Sequence, residues 1–146
     1  MSPGRPDATL VRRHLAALDA ALTRVGRFAG RSQAAMRGDL DALWAVERGL
    51  QLCAQNALDI ATHIAATSGA EAADYASSVD RLAEIGVLPA DFAARFRGIA
   101  GFRNVLVHAY LELDLVVLHA VLNDRLGDFA RFAEHVEAWL AQRERE

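Results

Sequence analysis

Residues 39–67 read DLDALWAVERGLQLCAQNALDIATHIAAT, and this stretch decides the fold class. Apolar residues recur at Leu43, Val46, Leu50, Cys53, Ala57, Ile60 and Ile64, the three- and four-residue steps of one helix face. Asp39 precedes the run as an N-cap, and Ser68-Gly69 breaks it. At 1.5 Å per residue such a helix is roughly 40 Å long. Cys53, the single cysteine, lies on its apolar stripe and reads as a small core residue.

Working outward, the same pattern repeats. Towards the N-terminus, Asp7 caps a first helix with Val11, Leu15, Leu18, Leu22 and Val25 on one face, ended by Gly30. Residues 1–6 read as disordered and 30–38 as a loop. Towards the C-terminus, Asp74 caps a short helix from about Tyr75 to Ile85, Gly86 stops it, and Pro89 suits the first turn of a fourth helix. A fifth starts after Asp114 and continues to about Arg143, burying Leu115, Leu118, Leu122, Phe129, Ala133, Val136 and Leu140, with Gly127 as a bend. No alternating run of β-branched residues reads as a strand. The expected fold is an all-α, antiparallel helical bundle of four long helices plus one short helix, in a single domain over residues 1–146.

Composition narrows the function classes. Hydrophobic residues make up 53% of the 146 and charged residues 24%, a globular composition. About one residue in five is alanine, which favours helix. No apolar run is long enough to span a bilayer and the first residues lack the order of a signal peptide, so the expectation is a cytoplasmic protein with no membrane partner. The net charge of −3 argues against coating a nucleic acid through bulk charge, and no DNA partner is expected. The charge is uneven: residues 1–40 carry seven Arg against three Asp, or +4, while 107–146 carry four Arg against eight acids, or −4. A local basic surface is the expectation, with the Arg-rich segment 24–37 as its candidate. His14, His119 and His135 have no carboxylate or cysteine at ligand spacing, so no metal site and no cofactor are expected. Trp44 and Trp139 sit in amphipathic patterns as core or dimer-edge residues.

The chemistry concentrates in RNVLVHAY, residues 103–110. Arg103 grips phosphate with a planar fork of donors, and His108 can give or take a proton near neutral pH. Phe92, Phe96, Ile99, Arg103, Leu106 and Tyr110 fall on one helix face, so Arg103 interrupts an apolar stripe and something must meet it: a carboxylate, a partner chain or an anionic ligand. Asn104 lies four residues before His108 and can orient the ring. Arg103 and His108 are five apart, roughly 140° around a regular helix. One straight helix does not aim both at one atom, so either the helix frays near His108 or a second copy completes the site. Gly98 and Gly101, in a chain that uses alanine freely, suggest close approach of something, ordinarily a neighbouring helix. Gln55, Asp59 and His63 form a polar face on the long helix, which reads equally as a group that neutralises Arg103 and as a solvated or bundle-internal polar pair.

At these residues the chain resembles the HEPN-domain toxins of the HepT-like ribonuclease family. Arg103, His108 and Tyr110 match that family's R-x4-H-x-Y motif in the context GFRNVLVHAY. QLCAQNALDIATHI (51–64) resembles its long second helix, with Gln55 and Asp59 as the Gln-x3-Asp pair. DYASSVDRLAEIGVLP (74–89) resembles the short helix before the motif, and LELD (111–114) the start of the C-terminal part. The resemblance implies a metal-independent endoribonuclease, the toxin of a type VII-like toxin–antitoxin system. It implies a homodimer whose motif helices meet in a cleft, with Arg103 and His108 catalytic and Asn104, Gln55 and Asp59 in support. It also implies an RNA substrate and a minimal nucleotidyltransferase antitoxin that attaches AMP to Tyr110. The rival readings are a non-catalytic HEPN module binding a nucleotide or a nucleotidyltransferase, and a helical dimerisation domain with Arg103 paired internally.

Overall fold

The computed structural model describes residues 4–69, 72–108 and 114–146. Their helices are α1 (Ala8–Gly26), α2 (Gln33–Arg37), α3 (Leu40–Thr67), α4 (Tyr75–Glu84), α5 (Ala90–Phe96), α6 (Ile99–Val107), α7 (Leu115–Asp124) and α8 (Leu126–Glu144). No strand occurs among the described residues, and the all-α expectation holds. The long helix α3 is the axis of the bundle and touches α1, α2, α4, α6, α7 and α8.

The expected aspartate caps are in place. Asp7 accepts from the Leu10 N–H at 3.0 Å, Asp39 from Ala42 at 3.1 Å, Asp74 from Ser77 at 2.8 Å and Asp114 from Val116 at 2.9 Å. At the end of α4, Gly86 adopts φ +86°, and the chain returns so that the Val87 N–H donates to the Leu82 carbonyl at 2.8 Å. Pro6 is buried and the Asp7 N–H donates to His63 Nε2 at 3.0 Å, so the chain is tied to α3 before α1 begins.

Three expectations of continuity fail. The segment 30–38 is not all loop: Ser32 caps the short α2 by accepting from Ala35 at 3.1 Å, and Met36 is buried. The fourth helix is two helices, α5 and α6, with the break at Arg97-Gly98. Gly98 weakens helix continuity there, and the Arg97 side chain is drawn sideways onto Asp80 of α4 at 3.0 and 3.3 Å. The fifth also divides, into α7 and α8 at Arg125 rather than at Gly127. Just before that break the Asn123 amide donates to the His119 carbonyl at 2.9 Å and accepts from the Gly30 N–H at 2.8 Å, a local competition with the helix ladder. Pro89 stands one position outside α5 instead of in its first turn.

Two buried clusters result. The larger joins α1, α3, α4, α5 and α8 through residues such as Leu18, Leu58, Ile60, Phe96, Phe129 and Phe132. The smaller gathers Val25, Met36, Val46, Leu50, Leu118 and Leu122. Helix α6 bridges them, with Ile99 packed on the first and Phe102 and Leu106 on the second. Gly49 lets α1 approach α3 closely, since a Cβ there would overlap the Val25 side chain. Cys53 is fully buried, and burial pushes its thiol up to about 12, as its reading as a core residue requires. Trp139 is half-buried on the larger cluster with Arg143 4.6 Å from its ring centroid, whereas Trp44 is 72% exposed.

Candidate active site

Arg103 is half-buried on α6, and α6 packs against α3 and α4. What meets the guanidinium is an amide. Nε donates to Gln55 Oε1 at 2.8 Å, and Nη1 donates to Asn104 Oδ1 at 3.1 Å. The guanidinium carbon stands 5.2 Å from the centroid of the Tyr75 ring, within cation–π range. Among the described residues no ion pair joins Arg103 to a carboxylate. Asp59 therefore does not neutralise it directly. It lies one link behind, accepting from Gln55 Nε2 at 2.8 Å. His63 does not join this group, because its Nε2 accepts from the Asp7 N–H.

This arrangement leaves Arg103 ready for an anion. A guanidinium has five N–H donors, and among the described residues two of them are engaged in hydrogen bonds. Among the described residues the side chain is fixed by neutral acceptors, and no carboxylate compensates its charge in this partly desolvated place. A phosphate is the ligand that such a fork matches.

His108 follows as the residue that ends α6, at φ −100° and ψ 10°, its N–H donating to the Asn104 carbonyl at 3.1 Å. The regular helix thus stops at the imidazole, and the ring is exposed. Asn104 differs from expectation: its side-chain oxygen turns to Arg103. Gly98 and Gly101 are exposed, and among the described residues nothing lies within 4 Å of a Cβ built on Gly101. Steps of three, four and three put Gly98, Gly101, Val105 and His108 on one face. Val105 is 48% exposed there. A groove of about 330 Å³ opens beside that face, lined by Ile99, Phe102, Val105, Val117 and Val121 and bounded by Arg95 and Arg125. Arg103 does not line it. Of the Arg-rich segment, Arg24, Arg27, Arg31 and Arg37 are all exposed, with Arg31 paired to Asp39 at 3.5 Å. Among the described residues no three His, Cys, Asp or Glu side chains gather to hold a metal, and no helix is long and apolar enough to cross a membrane.

A family described as Ribonuclease HepT-like matches residues 18–136. The chain belongs to this HepT-like family. The mRNA nuclease HepT of Shewanella oneidensis is 29% identical over 90 residues, covering 61% of this chain and 68% of that protein. A HEPN toxin of Shewanella oneidensis, solved tri-AMPylated and in complex with an MNT antitoxin, superposes with a TM-score of 0.77 at 24% identity, covering 88% of this chain and 96% of that one. YutE of Bacillus subtilis, a cytosolic protein of unknown function, superposes with a TM-score of 0.81 at 15% identity, covering 94% and 93%. These superpositions show the fold.

In this HepT-like chain the structure brings Arg103, Asn104, Gln55 and Asp59 into one hydrogen-bonded series, with His108 at the end of the same helix. Tyr110 lies outside the described residues. The residue that sequence reasoning missed is Tyr75, whose hydroxyl accepts from Gln55 Nε2 at 3.4 Å while its ring faces Arg103. A signal was available. Tyr75 falls on the buried stripe of α4 with Val79 and Leu82, and a phenol on such a stripe needs a polar partner.

Proposed function

We propose that this chain is the toxin of a toxin–antitoxin pair and cleaves RNA as a metal-independent endoribonuclease. The observation that carries the reading is the seat of Arg103: a half-buried guanidinium, oriented by an amide and an aromatic face, with no carboxylate paired to it among the described residues. An RNA phosphodiester supplies that anion, and its neighbouring 2′-hydroxyl supplies the nucleophile. Family membership and the likeness to an mRNA nuclease support the same chemistry.

Two copies complete the site. The exposed face of Gly98, Gly101, Val105 and His108 offers close backbone approach to a second motif helix, and a two-fold dimer places two imidazoles on one cleft. One His108 removes the 2′-hydroxyl proton as that oxygen attacks phosphorus. The other gives a proton to the departing 5′-oxygen as the P–O5′ bond breaks. The Arg103 pair stabilises the added negative charge of the transition state. The products are a 2′,3′-cyclic phosphate and a 5′-hydroxyl.

The partner is a minimal nucleotidyltransferase antitoxin, as in the complex of the structurally similar toxin. It silences the site by joining the Tyr110 phenolic oxygen to the α-phosphorus of ATP. Pyrophosphate leaves and the phenolic proton passes to solvent, and the attached AMP then fills the phosphate seat.

The test is cleavage of cellular RNA by purified protein in EDTA. Cyclic phosphate ends that disappear in His108→Ala and Arg103→Ala are the expected result. Cleavage that needs added metal, or survives His108→Ala, overturns the mechanism. Nucleotide binding without any cleavage selects the non-catalytic module instead.

A further inference from the structure

We infer that Tyr75 is a positioning residue for Arg103, holding the guanidinium by its ring and fixing the Gln55 amide by its hydroxyl. The inference deepens the proposed function and rests on it for its catalytic consequence, but not for its geometry.

The argument begins with Gln55. A primary amide has a donor end and an acceptor end of nearly equal shape. If the amide rotates by half a turn, Arg103 meets an NH2 group, and two sets of donors oppose each other. The orientation is set by what the nitrogen finds on the other side. It finds two oxygens, Asp59 Oδ1 at 2.8 Å and the Tyr75 hydroxyl at 3.4 Å. The carboxylate is acceptor-only and makes the dominant contact. The longer phenol contact adds a second acceptor for the NH2 group.

Tyr75 also touches Arg103 itself, with the guanidinium carbon 5.2 Å from the ring centroid. One side chain therefore contacts both members of the Arg103–Gln55 bond. The ring restrains the cation without neutralising it, as a carboxylate there would. Helix geometry fixes the phenol in turn. Tyr75 is the first residue of α4, directly after the cap Asp74, which accepts from the Ser77 N–H at 2.8 Å. The cap thereby sets where the ring stands.

Substitution separates the ring from the hydroxyl. Tyr75→Phe keeps the aromatic face, and Tyr75→Leu removes it while keeping an apolar side chain on the α4 stripe. The direct readout is the Arg103 Nε–H resonance in a ¹⁵N correlation spectrum, assigned by its loss in Arg103→Lys. It should be resolved and slowest to exchange in the parent, somewhat faster to exchange in Tyr75→Phe, where Gln55 loses the hydroxyl, and broadened or fast-exchanging in Tyr75→Leu at unchanged helix content. An Arg103 signal equally protected in Tyr75→Leu overturns the inference. The second readout is cleavage. Tyr75→Leu should lower kcat roughly ten-fold with KM little changed, and Tyr75→Phe should recover most of it. If the spectrum changes as expected but the parent protein cleaves no RNA, the positioning stands and the ribonuclease reading fails. If the parent cleaves RNA and Tyr75→Leu matches it in kcat, the catalytic consequence is overturned.

Discussion

Arg97 stands at the break between α5 and α6 and Arg103 lies six residues later within α6, and they are held in opposite ways. Arg97 lies on Asp80 through two hydrogen bonds at 3.0 and 3.3 Å, its side chain 49% exposed. That contact holds its pKa above the ordinary arginine value. Arg103 is half-buried and meets an amide, an asparagine oxygen and a phenol ring. Arg95, Arg125 and Arg131 repeat the first pattern around Asp128. The difference teaches where to look for chemistry. Arginines that fasten helices together are neutralised by carboxylates, whereas an arginine kept for a ligand is oriented by neutral groups and retains its charge.

The sharpest way to break the contrast is to remove the two cations in parallel. Arg103→Ala should reduce RNA cleavage by about 10²–10³-fold, the usual effect of losing one group that stabilises transition-state charge. Arg97→Ala should leave the rate close to that of the parent. Single-turnover cleavage at saturating protein measures both. Equal losses would mean that the neutral seat confers nothing special. Arg103→Lys should recover only part of the activity, because an ammonium lacks the planar fork.

A smaller effect is expected from the groups that define the seat. Gln55→Leu removes the acceptor for Arg103 Nε and takes away the amide that stands between the guanidinium and Asp59. Collapse of Arg103 onto Asp59 would convert the ligand-ready pattern into the fastening pattern. Cleavage should fall by about 10–100-fold, the range for partners that orient a functional side chain. Gln55→Leu/Asp59→Leu removes the trap, and it should cleave faster than Gln55→Leu alone. A double variant no better than the single one would show that charge compensation is not what matters.

Gly49→Ala tests the scaffold without touching either arginine. A Cβ at that position overlaps the Val25 side chain on α1, and a buried valine has little rotamer freedom to yield. Overpacking of this kind costs about 1–3 kcal/mol, partly offset by about 1 kcal/mol of helix propensity gained. Chemical denaturation should show a net loss of up to about 2 kcal/mol, with the ratio of Arg103→Ala to Arg97→Ala activity unchanged.

Much of this contrast was legible before any coordinates, and the illegible part has a physical pattern. Local signals carried through: four aspartates ahead of apolar runs capped four helices, and the stripe from Leu43 to Ile64 marked α3. Arg103 announced itself by interrupting an apolar face, which said that a partner was needed but not which one. The divisions at Arg97 and Arg125 were hidden because distant groups, the Asp80 carboxylate and the Gly30 backbone N–H, take part in them. A periodic pattern continues across a break that tertiary contacts impose. Tyr75 was missed for the same reason, since it lies 28 positions before Arg103 and only the packing of α4 on α6 joins them.

The smallest expected effect links the two arginines through α4. The Asp74 carboxyl is held below its ordinary range first by the Ser77 N–H and hydroxyl, and last by the charge of Arg97. Its folded pKa is therefore lower than the unfolded value of about 3.9. The cap is complete above that value, and its contribution is lost as pH falls through the lowered folded pKa. Amide exchange at Ser77, read against pH, should show protection persisting below pH ~4 and then disappearing, and Asp74→Asn should flatten the profile. Arg97→Ala should move the loss of protection slightly upwards in pH, since one positive charge near Asp74 is gone. Arg103→Ala should leave it in place, because Arg103 is no cause of the Asp74 shift. A shift in the Arg103 variant as large as in the Arg97 variant would mean that both arginines act on α4 as charges. The distinction between a fastening arginine and one reserved for a ligand would then fail at the helix that carries Tyr75.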